Sequence, residues 1–116
     1  VDLCLAAIND ELDSYQINWT EQHSCGVVIA SAGYPENYIS NKDVQIYPEN
    51  DQDMKLFHAG TKLVDGNVVT SGGRVFCATA LGSDLKEAQS KAYNLVNKVS
   101  FEGAFCRTDI GFKGIK

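Results

Sequence analysis

Two glycines and an arginine form the stretch of this sequence best suited to chemistry. In Ser71-Gly72-Gly73-Arg74 the glycines expose backbone N–H groups beside a guanidinium. Such N–H groups and the bidentate donors of arginine suit phosphate or carboxylate. A lone Gly-Gly-Arg does not make a complete phosphate-binding motif, and the same residues would serve as a loop between strands. The stretch therefore predicts either an anion site or a plain inter-strand loop.

A histidine and an ion-pair motif are the other candidates. His58 stands in Phe57-His58-Ala59-Gly60-Thr61, where Gly60 would let the backbone bend and a ligand approach closely. No nucleophile or partner histidine accompanies it, so a hydrogen-bonded histidine beside a turn is the simpler interpretation. Arg107 precedes Asp109 by two residues, a spacing that favours a structural ion pair over a binding site.

Strands and hairpins must position these residues. Asp65-Gly66 separates two short β-prone runs and predicts a tight hairpin, because Gly accepts positive φ. Pro48 and the polar residues from 36 to 53 predict mostly loop. Gly82 is expected to break the strand that follows Arg74. The predicted strands are 27–31, 44–47 (brief), 54–59, 61–64, 68–70 and 74–81.

Two helices complete the prediction. Asp84 and Glu87 form a capping box at the start of an amphipathic helix running from Leu85 to Val99, whose apolar stripe predicts packing on the sheet. A first helix has Leu5, Ile8 and Leu12 at helical spacing and no capping residue before it, as expected for a fragment. We assign residues 1–24 to this helix and a connector, and residues 25–116 to one domain, whose Gly-rich tail from residue 100 is expected to cross a surface or an interface.

Composition and charge disfavour several classes of partner and location. The chain has 116 residues, a net charge of −5 and dispersed Lys and Arg, which disfavours nucleic acid as a partner. No apolar run approaches the roughly 20 residues that span a bilayer, and no signal peptide is evident. Four widely spaced cysteines match no metal motif and are expected to be reduced, in a cytoplasmic protein; two disulfides in a secreted protein are the alternative. Lys62 and Lys113 are expected to be solvated.

Four ordered motifs are similar to the carboxyl end of one enzyme family, the phosphoribosylamine-glycine ligases or glycinamide ribonucleotide synthetases. They are Val27 to Pro35, Phe57 to Thr61, Gly72 to Val75, and Phe101 to Gly103 with Arg107 to Gly111. The similarity extends from the first helix to Gly111. Three places depart from the family pattern: Ala32, the pair Glu36-Asn37, and Cys106.

The resemblance implies an α+β fold in which an antiparallel sheet or partial barrel packs against an amphipathic helix, as in the C-terminal domain of carboxylase-type ATP-grasp enzymes. It implies that the complete enzyme joins glycine to 5-phosphoribosylamine with ATP, through glycyl phosphate. ATP and magnesium or manganese would be held by upstream N-terminal and ATP-grasp domains, so this segment alone would be inactive.

For this segment the resemblance implies a substrate-binding edge without catalytic or metal-binding residues of its own. Its members would be Gly72, Gly73, Arg74, His58, Thr61, Arg107 and Asp109. Two other classes compete with this interpretation. One is a stand-alone, non-catalytic interaction module, which an exposed apolar patch would favour. The other is a thiol or metal protein, which requires at least three sulfurs near one point.

Overall fold

Antiparallel strands and two α-helices form the fold of the computed structural model, which describes residues 1–115. The elements in chain order are α1 (Asp2–Ile8), β1 (His23–Ser31), β2 (Gln45–Ile46), β3 (Met54–His58), β4 (Thr61–Val64), β5 (Asn67–Thr70), β6 (Arg74–Gly82), α2 (Leu85–Val96), β7 (Val99–Ser100), β8 (Ala104–Phe105) and a 3-10 helix (Phe112–Gly114). This α+β arrangement of antiparallel sheets and a packed helix confirms the predicted fold class. Among residues 1–115, no helix is long and apolar enough to cross a membrane.

The main sheet has four strands in the order β3-β6-β1-β8. Directly paired residues of antiparallel strands point to the same face, so the register assigns each side chain to a face. The inner face carries Val27, paired with Ala78, and both are fully buried. The helix α2 covers this face with Ala88 and Ala92. The outer face carries Val28, which pairs with Cys77 and is 40% exposed.

The predicted hairpin is present between β4 and β5. Asp65 and Gly66 both have positive φ, 49° and 81°, as a type I′ turn requires. The hairpin is tied to the preceding segment, since the N–H of Thr70 donates to the Lys42 carbonyl at 2.9 Å. The short strand β2 lies within the predicted 44–47 segment and pairs with β7.

The helix α2 begins as predicted and ends earlier. The N–H of Glu87 donates to the Asp84 carboxylate at 2.7 Å, which is the expected cap. The predicted end at Val99 is wrong, because the helix stops at Val96 and Val99 is a buried residue of β7, paired with Ile46. A further helical turn would carry Val99 away from this pairing. The strand β6 ends one residue later than predicted, because Gly82 is its last residue and pairs with His23.

The first helix is also shorter than its pattern indicated. It ends at Ile8, and Asp10 follows with a φ of 61°. Leu5, Ile8 and Leu12 are exposed, while Ala6 is buried. The apolar spacing therefore does not mark a face that packs against residues 25–115. Phe101, in the predicted surface tail, is buried in a core cluster with Ile29 and Phe76.

The start of α2 predicts a pH dependence of stability. The Glu87 carboxylate accepts from the Ser83 hydroxyl at 2.6 Å and from its N–H at 2.7 Å, and Lys91 lies 3.3 Å away. Chiefly the Ser83 hydrogen bonds, and then Lys91, lower the pKa of Glu87 from 4.5 to about 2. Because the folded-state pKa is depressed, this stabilisation is complete above about pH 4.5 and is lost as pH falls towards 2.

A Glu87→Gln variant is therefore expected to show a smaller loss of Tm between pH 5 and pH 2 than the wild type. Tm measured by circular dichroism across this range checks the difference. Glu21→Gln, at an exposed residue of the connector, is the matched control and should follow the wild-type profile. Parallel profiles for Glu87→Gln and wild type would contradict the assignment.

Candidate anion-binding site

Two loops that carry the sequence motifs are joined through their backbones. The N–H of Gly60 donates to the Arg74 carbonyl at 2.9 Å, and the N–H of Ser71 donates to the Gly60 carbonyl at 2.8 Å. A Cβ atom on Gly60 would lie only 2.7 Å from the Arg74 oxygen and 2.8 Å from the Gly72 Cα. Glycine at position 60 therefore allows the Phe-His-Ala-Gly-Thr turn and the Gly-Gly-Arg loop to touch.

The two glycines of Gly-Gly-Arg are held by their carbonyls. The buried Ser31 donates from its hydroxyl to the Gly72 carbonyl at 3.2 Å and from its N–H to the Gly73 carbonyl at 2.8 Å. Within residues 1–115 neither glycine N–H is hydrogen-bonded to a protein acceptor. Strong backbone donors require acceptors, so the N–H of the half-buried Gly72 is the one available to a ligand oxygen, since Gly73 is buried. Tyr34 covers Gly73, where a Cβ would lie 2.2 Å from the ring.

Two arginines line one depression on the outer face of the main sheet. Arg74 and Arg107 border a hollow of roughly 190 Å³. The other lining residues are mostly apolar or aromatic: Val28, Ala30, Tyr34, Phe105 and Cys106. Arg74 forms no salt bridge with a carboxylate among residues 1–115. Its guanidinium is exposed and can bind an anion bidentately.

The second arginine is already paired. Arg107 donates from Nε and Nη2 to the two carboxylate oxygens of Asp109, at 2.8 and 2.6 Å. This bidentate contact holds the pKa of the Asp109 carboxyl below its ordinary value. The predicted ion pair is thus present, and its guanidinium, which is 72% exposed, retains donors that face away from Asp109.

His58 and Thr61 lie together but in a different depression. The Nδ1 atom of His58 is 3.0 Å from the Thr61 hydroxyl, as expected for a hydrogen-bonded histidine beside a turn. The His58 ring meets Phe76 edge-on with centroids 4.9 Å apart. His58 and Thr61 border a hollow of roughly 300 Å³ that they form with the β4–β5 hairpin.

Strand register explains this separation. His58 pairs with Phe76, which pairs with Ile29, so all three side chains lie on the inner face. Arg74 pairs with Ala30 after a bulge in the strand pairing and belongs to the outer face. The seven predicted residues therefore form two groups joined by the Gly60–Gly72 contact, rather than one continuous edge.

Several residues of the arginine-lined depression were missed by sequence reasoning. Val28 and Ala30 form its floor, and the strand alternation around buried Val27 and Ile29 could have placed them on the opposite face. Tyr34 belongs to the Gly-Tyr-Pro motif, which gave no indication that its ring would cover Gly73. The contact between Tyr34 and Gly73 joins segments about 40 residues apart, so no local sequence pattern predicts it.

The cysteines and acidic residues do not form a metal site. All four cysteines are free, and only Cys25 is buried. Burial, with a smaller contribution from Cys77, raises the pKa of the Cys25 thiol. In the part of the chain that the structure describes, no three His, Cys, Asp or Glu side chains converge on one point.

Comparison with known proteins decides the family. The family model for the phosphoribosylglycinamide synthetase C domain matches residues 24–113. The chain belongs to this family. A phosphoribosylamine-glycine ligase of Salmonella typhimurium is 50% identical over 118 residues, covering 100% of this chain and 28% of that protein. The enzyme of the same name from Vibrio parahaemolyticus is 47% identical over 116 residues, covering 99% and 27%.

A solved structure agrees with this assignment to the phosphoribosylglycinamide synthetase C domain. The crystal structure of phosphoribosylamine-glycine ligase from Thermotoga maritima superposes with a TM-score of 0.75 at 30% identity. The match covers 91% of this chain and 27% of that one. The chain thus spans a little over a quarter of the length of these relatives, and the family resemblance predicted from the four motifs is confirmed.

Proposed function

We propose that this domain supplies the substrate-phosphate wall of a phosphoribosylamine-glycine ligase. In the proposed reaction a glycine carboxylate oxygen attacks the γ-phosphorus of ATP, which gives glycyl phosphate and releases ADP. The amine of 5-phosphoribosylamine then attacks the acyl carbon and loses a proton, and phosphate leaves. The product is glycinamide ribonucleotide. This domain binds and orients the ribose phosphate rather than making or breaking these bonds.

The arginine-lined depression is the observation that carries the proposal. Arg74 and Arg107 border the same hollow, and the half-buried Gly72, whose N–H has no protein acceptor within residues 1–115, lies two residues before Arg74. A phosphate group offers several acceptor oxygens and two negative charges, so it can use a bidentate guanidinium together with backbone donors. The apolar floor suits the carbon framework of a ribose.

The His58–Thr61 pair has a smaller part in this proposal. It holds the turn that contacts Gly72 and therefore supports the shape of the Gly-Gly-Arg loop from the inner face. Asp109 limits the movement of the Arg107 guanidinium through its bidentate contact. His58, Thr61 and Asp109 remain predicted members of the substrate edge, through these contacts.

The remaining parts of the active site lie outside this segment in the proposal. ATP and magnesium or manganese are held by the upstream ATP-grasp part of the same enzyme. These upstream domains adjoin the outer face beside the depression, where Phe57 is 52% exposed, and leave Val28 and Phe105 free to contact the substrate. The four free thiols suit an enzyme of the reducing cytoplasm.

The ligase assignment is tested with the full-length polypeptide that carries this segment. ADP release is measured with glycine and with phosphoribosylamine generated in solution, and each substrate is omitted in turn. The proposal expects release that depends on both substrates and yields glycinamide ribonucleotide. A full-length protein that binds neither substrate would favour the non-catalytic interaction module instead.

A further inference from the structure

A tyrosine of α2 spans the loop that carries Arg107. The Tyr93 hydroxyl donates to the Arg107 carbonyl at 2.7 Å and accepts from the Ile110 N–H at 3.1 Å. One hydroxyl thus closes both ends of the turn in which Arg107 binds Asp109. Its ring packs against the core cluster that contains Val27 and Ala88, which fixes its position relative to the sheet.

A glutamine one helical turn earlier strengthens this attachment. Gln89 donates from Nε2 to the Ile110 carbonyl at 2.7 Å. Residues four apart lie on the same side of a helix, so Gln89 and Tyr93 act on the loop together. Gly111 ends the loop with a φ of 83°. A Cβ atom on Gly111 would lie 3.5 Å from Nε2 of Gln89, so the loop packs directly against this side chain. No strand includes residues 106–111, and the helix is therefore their main anchor.

We infer that Tyr93 is a positioning residue for ribose-phosphate binding, acting through Arg107. This inference rests on the proposed function of the arginine-lined depression. Tyr93 holds the backbone of Arg107 and Asp109 holds its guanidinium, so the remaining donors are restricted in position before a ligand arrives. Pre-organised donors bind an anion more tightly than mobile ones, because less side-chain freedom is lost on binding.

Tyr93→Phe in the full-length enzyme tests the inference, because it removes both hydrogen bonds and keeps the ring. We expect the Kd for glycinamide ribonucleotide to rise about fivefold, the typical effect of having to immobilise one long side chain on binding, with the Kd for ATP unchanged. Tyr47→Phe is the matched control, since Tyr47 is 59% exposed and lies in the segment that leads away from β2. Its affinities should equal those of the wild type.

A double-mutant cycle separates positioning from general stability. In an Arg107→Ala background, Tyr93→Phe is expected to change ribonucleotide affinity less than about twofold, because the residue it positions is gone. An equal effect in both backgrounds, or none in either, would overturn the inference. Gln89→Met removes the neighbouring bond alone and repeats the cycle if Tyr93→Phe does not fold.

The same data distinguish the inference from the function on which it rests. If Arg74→Ala and Arg107→Ala weaken ribonucleotide binding while Tyr93→Phe and Gln89→Met do not, only the positioning role fails. If both arginine variants bind the ribonucleotide as the wild type does, the substrate-phosphate wall and the positioning role fail together.

Discussion

Replacing Phe76 with alanine is expected to lower the free energy of unfolding by about 3–5 kcal/mol, the usual range for truncating a fully buried phenylalanine. Phe76 is completely buried and belongs to the core cluster with Ile29, Val75 and Phe101. It also supports the His58 ring edge-on. Its removal leaves a cavity between the sheet and the β2–β7 pair, and surrounding atoms can fill it only in part.

Urea denaturation followed by circular dichroism measures this loss. Phe112→Ala is the control, since Phe112 is 54% exposed in the 3-10 helix, and its cost should be about 1 kcal/mol or less. A Phe76→Ala cost as small as that of the control would contradict the position of Phe76 in the core.

The second large effect is expected from Arg74→Ala in the full-length enzyme. The KM for phosphoribosylamine should rise between about tenfold and a hundredfold, because a hydrogen-bonded charge contact with an anion typically contributes about 1.5–3 kcal/mol. The KM values for ATP and glycine should change little, since neither is proposed to contact Arg74. Initial rates of ADP formation with each substrate varied in turn provide the measurement.

Two control variants sharpen this result. Arg74→Lys keeps the charge and loses the planar bidentate donors, so its KM for phosphoribosylamine should lie between those of Arg74→Ala and the wild type. Lys86→Ala removes one positive charge at an exposed residue of α2 and should leave all three KM values unchanged. An Arg74→Ala effect no larger than that of Lys86→Ala would assign Gly-Gly-Arg to a structural loop.

Local patterns predicted the elements that depend on a few neighbouring residues. The Asp65-Gly66 turn and the Asp84–Glu87 cap are such features, because positive φ at Gly66 and hydrogen bonds within one turn need no distant partner. The end of α2 was missed for the opposite reason. Val99 continues the apolar stripe of the helix, yet it pairs with Ile46, more than 50 residues away in the chain.

The candidate site could be predicted by residue type but not by arrangement. Gly-Gly-Arg was recognisable from its donors, and Arg107–Asp109 from its spacing. The division into two groups follows from strand register, which sends His58 to the inner face and Arg74 to the outer one. A bulge near Val75 determines that register, and the sequence around it carries no pattern that specifies the shift.

The most direct test of the substrate-phosphate wall is isothermal titration of glycinamide ribonucleotide and of ATP into the full-length enzyme and its Arg74→Ala variant. Magnesium concentration is kept constant in every titration. We predict that the variant loses ribonucleotide affinity at least tenfold and keeps its affinity for ATP. Unchanged affinity for both ligands would contradict the proposal and leave this domain a structural support for the site.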